Sequence, residues 1–158
     1  MHHAKILCPY LATNNRFALD NQQKYLGLTD TTVLYDNNQP ESLHYLLGLL
    51  NSRTLNFRFK FIGKLKGGGI LEYFWNSISK LPIRRINFSD AADKARHDRM
   101  VALVEGMLAA KRQLAGAGTE AERNLYERKC ANLDAQIDAL VYELYALTPQ
   151  EIALVEEV

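Results

Sequence analysis

The sequence predicts an α+β protein: a lobe with a small mixed β-sheet and one or two helices, then an antiparallel helical hairpin and a short C-terminal helix. Three observations carry this. Short runs rich in β-branched and aromatic residues alternate with Asn/Asp-rich turns through the first 36 residues. Apolar residues in the second half recur at helical spacing, in two long stretches parted by "GAGTEAE". The composition is that of a globular chain, 47% hydrophobic and 23% charged over 158 residues. We expect the lobe over residues 1–88 and the helical part over 89–158.

"AKILCPYL" reads as a buried strand stopped at Pro9, and "NNRFALD" and "TTVLYD" as further strands. In "NNQPESLHYLLGLLNSRTLNFRFKFI" the period changes. Pro40 suits a first helical turn, and Leu43, Leu46, Leu47 and Leu50 recur at helical spacing. The expectation is a helix from Pro40 to Asn51 and a second helical piece through Phe61. Gly67 to Gly69 mark a tight or mobile loop, because three glycines inside a regular element carry an entropic cost. "ILEYFW" and "ISKLPIRRI" have strand character, with Pro82 at an edge or just past a strand.

Ser89 or Asp90 can cap a helix running to about Ala115, and Thr119 with Glu122 forms a capping-box pattern for the next. Tyr126, Cys130, Leu133, Ile137, Leu140, Leu144 and Leu147 then alternate by four and three, a heptad seam. Met100, Val104, Met107 and Leu114 offer a matching stripe, and the short connection makes the two helices antiparallel neighbours. Thr148, Pro149 and Glu151 repeat the start signal for a last helix. Tyr142 and Tyr145 sit on this packed region, so packing is the expected role for both rings and capping for Thr148.

Several function classes find no support. No apolar run approaches the roughly 18 residues of a membrane span. "MHHAKILCPY" lacks the basic and apolar regions of a signal peptide, so a cytoplasmic location is expected. Cys8 and Cys130 have no metal-type spacing and are expected buried and reduced. His2 and His3 are terminal, and neither His44 nor His97 has a carboxylate or cysteine partner placed for a metal. No catalytic residue and no metal site are expected, and the glycine run lacks the Gly-Lys-Ser/Thr of a P-loop.

Net charge is +1, but it divides unevenly. Residues 1–89 hold eleven Lys/Arg and five Asp/Glu, a balance of +6, while the remainder holds eight and thirteen, a balance of −5. Such asymmetry suggests one half facing a polyanion. The densest stretch carries Arg53, Arg58, Lys60, Lys64 and Lys66, interleaved with Phe57, Phe59 and Phe61 and free of acids. As a helix it would align Arg53, Phe57, Lys60 and Lys64 on one face, and Leu55, Phe59 and Ile62 on another. Gly67 and Gly68 would let backbone N–H groups approach phosphates, with Lys64 and Lys66 beside them. An ordinary solvated loop is the rival reading. Arg84 and Arg85 suit phosphate or guanine contacts, or salt bridges to the acidic helices. Asn15 and Arg16, with Asn14, suit base reading or a simple turn. Tyr73 and Trp75 could stack on bases, although a tryptophan in an apolar run is expected in the core. The working expectation is that the cations between Arg53 and Arg85 gather on one outward surface.

The closing stretch "IDALVYELYALTPQEIALVEE" resembles the end of bacterial adenine-specific DNA methyltransferases and of the related type IIG restriction–modification enzymes. The likeness rests on Ile137-Asp138, Leu140-Val141-Tyr142, Leu144-Tyr145, Leu147-Thr148, Glu151-Ile152 and Val155-Glu156. Upstream, residues 45–62 resemble a family helix ending in leucine-asparagine-serine, here Leu50, Asn51 and Ser52. "ISKLPIRRI" resembles the segment that closes the recognition fold, and "KILCPYL" its opening strand. The chain thus resembles a TaqI-like C-terminal specificity domain. The resemblance implies double-stranded DNA as partner, and a methyltransferase domain of the same polypeptide that uses AdoMet on a flipped adenine. It leaves an endonuclease domain open. The chain has no Pro-Pro pair and so lacks the motif that grips the adenine. It is therefore expected to be a C-terminal piece without cofactor of its own. The alternative is a protein–protein assembly module, dimerising through the helical hairpin.

Overall fold

The computed structural model describes residues 4–22, 24–25, 27, 29–36 and 38–157. His2 and His3 lie outside them. The strands are β1 (Lys5–Pro9), β2 (Leu11–Ala12), β3 (Ala18–Asp20), β4 (Thr31–Tyr35), β5 (Lys64–Gly67) and β6 (Ile70–Glu72). The helices are α1 (Leu43–Asn51), α2 (Arg53–Ile62), α3 (Trp75–Ile78), α4 (Ala91–Ala115), α5 (Glu120–Leu144) and α6 (Pro149–Glu156). The α+β class and the helical pair are as expected. The strands form two three-stranded sheets, β3-β1-β4 and β2-β6-β5, with every pairing antiparallel rather than mixed.

Tyr10 links the two sheets. Its N–H donates to the Asp30 carbonyl (2.9 Å) at the start of β4, and its own carbonyl accepts from the Tyr73 N–H (2.7 Å) after β6. Pro9 ends β1 because it has no N–H to continue a ladder, so the chain changes partner there.

The break between α1 and α2 has a local cause. Ser52 sits in an extended conformation and caps both helices, donating to the Leu49 carbonyl (2.7 Å) and accepting from the Leu55 N–H (3.3 Å). Asn51 bridges back to the lobe. Its side chain accepts from the Phe17 N–H and donates to the Phe17 carbonyl, both at 2.9 Å, as a strand neighbour would. Pro40 lies outside α1, contrary to expectation. Ser42 takes the cap position, accepting from the His44 N–H, so the helix starts at Leu43.

"ISKLPIRRI" is not a strand. Leu81 and Ile86 are buried, but side chains rather than a neighbouring strand satisfy the backbone. The Arg84 N–H donates to the Tyr145 hydroxyl (3.2 Å), that of Ile86 to Glu41 (3.0 Å) and that of Asn87 to Asp93 (2.7 Å). "ILEYFW" is a strand only to Glu72, and Trp75 opens the short α3.

The helical signals hold. Asp90 caps α4, and capping boxes at Thr119/Glu122 and Thr148/Glu151 start α5 and α6. The seam residues Cys130, Ile137, Leu140 and Leu144 are buried. Tyr145 donates from its hydroxyl to the Pro82 carbonyl (2.5 Å), so it packs against the lobe. One core runs through both halves. Tyr45, Leu49, Leu55 and Phe59 from α1 and α2 pack with Met100 of α4 and Val141 of α5. Cys8 and Cys130 are buried free thiols, and burial pushes the Cys8 thiol up to about 12. No helix among the described residues is long and apolar enough to cross a membrane.

Candidate nucleic-acid interface

The helix α2 divides its cations between two sides. Arg53, Phe57 and Lys60 share a face by helical spacing, and Arg53 and Lys60 are exposed. Lys64 does not join them, because Gly63 caps the helix and Lys64 begins β5. Arg58 points elsewhere and lines a groove between α2 and α6 with Thr54, Tyr145, Glu151 and Leu154. The Thr54 hydroxyl in that groove is buried and has no hydrogen-bond partner among the described residues. Of the three phenylalanines only Phe59 is buried; Phe57 is half-buried and Phe61 exposed. The helix is anchored by one ring, with Leu55, and not by three.

The hairpin β5–β6 follows. Gly67, Gly68 and Gly69 form its tip at φ +119°, +56° and +76°, with nothing within 4 Å of where a Cβ would stand. Backbone conformation and not crowding therefore demands glycine here. Lys64 and Lys66 approach the Glu72 carboxylate at 3.8 and 3.3 Å. The two ammonium groups reach into water while the Glu72 carboxylate is largely enclosed, so one acid is shared by two lysines and leaves a net positive charge at the hairpin.

Arg53, Arg84 and Arg85 are held inside the fold's own charge network. The Asp138 carboxylate of α5 accepts from the Arg53 N–H (2.9 Å) and pairs with its side chain (3.3 Å). Burial raises the Asp138 carboxyl above its ordinary range, against the pull of Arg53. Arg84 makes a two-pronged pair with Asp93 (2.8 and 3.0 Å). The Asn87 N–H and the Arg84 guanidinium hold that carboxyl below its ordinary range. Arg85 donates to Glu41 and to Gln39, both at 2.8 Å. Burial pushes Glu41 up, but Arg85 and the Ile86 N–H outweigh it and leave the carboxyl lowered. The expected single outward cationic surface is thus not what the structure shows. Three buried carboxylates, two of them from the helical half, engage the arginines, because a buried carboxylate without a cation would cost far more than an exposed pair returns.

Asn15 is also committed internally. Its backbone N–H donates to Asn56 (2.8 Å), its amide to the Leu50 carbonyl (2.7 Å), and its side-chain oxygen accepts from the Tyr73 hydroxyl (2.9 Å). Arg16 is exposed, and Arg16, Arg58 and Lys60 have no ion pair among the described residues. Tyr73 is buried and stacked on Phe59 at 4.2 Å, whereas Trp75, expected in the core, is 62% exposed. Phe74 beside it is 51% exposed. The alternation of Leu71, Glu72 and Tyr73 carries the signal that would have placed Phe74 outward.

Between the lobe and the hairpin lies a cleft of about 510 Å³ lined in part by Asn51, Arg53, Met107, Lys111, Asp134 and Asp138. Burial raises the Asp134 carboxyl as it does Asp138. Among the described residues no group of three or more His, Cys, Asp or Glu is placed to hold a metal ion.

The β5–β6 hairpin thus stands exposed with a glycine tip and two lysines on one acid, next to α2 with its exposed Arg58 and Lys60. Residues 1–83 match the TaqI-like C-terminal specificity domain, more than half of the chain, and the chain belongs to that family. It is 32% identical over 100 residues to the type II methyltransferase M.HincII of Haemophilus influenzae, covering 63% of this chain and 20% of that protein. It is likewise 32% identical over 100 residues to the type II methyltransferase M.HindII of Haemophilus influenzae strain Rd, covering 63% of this chain and 19% of that protein. The matched stretch is about a fifth of each relative's length.

Proposed function

We propose that this chain recognises double-stranded DNA sequence-specifically, as the C-terminal part of an adenine-N6 methyltransferase of a restriction–modification system. The observation that carries the reading is the specificity-domain match over residues 1–83, which contains α2 and the whole β5–β6 hairpin. Lys60, Lys64, Lys66, Arg16 and Arg58 would meet phosphates, with the Gly67–Gly68 backbone close to the duplex. Arg53, Arg84, Arg85 and Asn15 would act on DNA only through the framework they hold. The chain would not turn over substrate alone. A methyltransferase domain of the longer polypeptide would bind AdoMet and modify the adenine, and an endonuclease fusion of type IIG kind is compatible with this. The residues here do not fit an AdoMet pocket, since Gly67–Gly69 turn a β-hairpin rather than leading from a strand into a helix. No step of methyl transfer is assigned to them.

Binding to a labelled duplex, followed by anisotropy over a range of salt, tests this. Affinity should fall with a log–log slope of roughly −0.9 per phosphate neutralised, and the double change Lys64→Ala, Lys66→Ala should flatten that slope by about 1.8. Absence of binding even at about 50 mM salt would remove the DNA reading. It would favour the assembly module, for which sedimentation would then have to show a dimer through α4 and α5.

A further inference from the structure

The second sheet buries one side of β6 in the core while β5 stands in water, and the opposite side carries apolar residues where a solvated sheet is ordinarily polar. Leu71 and Tyr73 point inward and are buried. By strand alternation Ile70, Glu72 and Phe74 point outward. Leu11 and Lys64 stand opposite Glu72 in register and share its side. Leu11 is 47% exposed and Phe74 51%; Trp75, which follows Phe74 and opens α3 outside the strand alternation, is 62% exposed. The Phe74 ring meets Tyr10 edge-on at 6.2 Å.

Phe74 also breaks a local rule. It occupies the N-cap of α3, where Ser, Thr, Asp or Asn would accept a backbone N–H, and it supplies no side-chain cap. Phe74 thus serves neither the cap nor the core.

Charge decides what covers this face. Its one carboxylate, Glu72, is nearly closed to water and already engaged by the Tyr10 hydroxyl, Lys64 and Lys66. Two lysines against one acid leave the surface positive, and no Asp or Glu occurs between Glu41 and Glu72. An apolar patch flanked by lysines matches a DNA groove, where apolar side chains meet the bases and cations meet the phosphates on either side. Resting on the DNA reading above, we propose that Phe74 and Trp75, with Leu11 and Ile70, form this chain's apolar contact with duplex DNA. The rings seat against bases and sugars in a groove, while Lys64 and Lys66 reach the flanking phosphates.

Trp75 is the one tryptophan in the chain, so its emission reports on this surface directly. The full chain is titrated with a short random-sequence duplex, recording tryptophan emission and, in parallel, anisotropy of the labelled duplex. The two signals should change over the same duplex concentrations. Trp75→Ala and Phe74→Ala should each weaken binding roughly tenfold, as loss of an apolar groove contact does, without altering the salt slope, and Trp75→Phe should retain most of the affinity. Anisotropy that rises while emission stays constant would overturn the proposal and leave DNA binding standing. Anisotropy that never rises would remove the DNA reading, and the proposal with it. Emission that responds to raised protein concentration and not to duplex would overturn it in favour of contact between copies of the chain.

Discussion

Lys5 and Asp20 stand opposite each other on β1 and β3, and their ion pair at 2.9 Å is almost closed to water. Asp20 also accepts from the backbone N–H groups of Tyr25 (3.0 Å) and Lys24 (3.1 Å). The hydrogen bond from Lys5 is the main reason its carboxyl falls from 3.8 to about 2, against the opposing effect of burial. A carboxyl lowered in the fold contributes stability that is present above its unfolded value and lost as pH falls through its folded one. The Tm should therefore drop between about pH 4 and pH 2. Asp20→Asn should lower Tm at neutral pH, because Lys5 is left buried without its counter-charge, and should flatten the acid limb. Thermal unfolding followed by circular dichroism across that window checks both. An unchanged acid limb in the variant would show that other carboxylates control it.

Packing of α1 on α4 is decided at Gly48. A Cβ there would come within 2.5 Å of Met100 Sδ and 3.0 Å of Val104 Cγ2. Alanine is a better helix former than glycine by about 1 kcal/mol, while overpacking a well-filled contact costs about 1–3 kcal/mol. The flexible Met100 can yield, but the β-branched Val104 is stiffer. Gly48→Ala should thus lose on balance about 1 kcal/mol in a urea titration, and should lose less when Val104→Ala makes room. If Gly48→Ala is neutral or stabilising, the helix contact is looser than the distances indicate.

At the scale of the whole molecule, the binding lobe and the helical pair share one hydrophobic core. Met100 and Leu140 belong to it as fully as Leu49 and Phe59 do. Asp138 and Asp93 of the helical half also hold Arg53 and Arg84 of the lobe. Leu140→Ala should accordingly cost about 2–5 kcal/mol and lower the stability of the lobe with that of the hairpin. Far-ultraviolet dichroism, which reads the helices, and near-ultraviolet dichroism of Tyr45 and Tyr73 should then show coincident transitions. Separate transitions would mean two units that merely touch.

The local determinants were legible in the residues alone. Caps at Asp90, Thr119 and Thr148, the seam from Cys130 to Leu144, the glycine turn and the strand character of β1 and β4 depend on near neighbours in sequence, and they appear as expected. What lay beyond reach were pairings between distant residues. Whether Arg84 meets a phosphate or Asp93 depends on how α4 docks, and whether "ISKLPIRRI" becomes a strand depends on whether a neighbouring edge is free to pair. Trp75 illustrates the same limit: its hydrophobicity argued for the core, but the chain leaves the strand after Glu72 and turns into α3 at Trp75, which leaves the ring in water. Sequence by itself determined the long helices, the strands β1 and β4, and the family likeness, because those rest on interactions spanning a few residues. Only the tertiary structure decided which cations remain available and which face lies open, because burial and charge pairing belong to the packed whole.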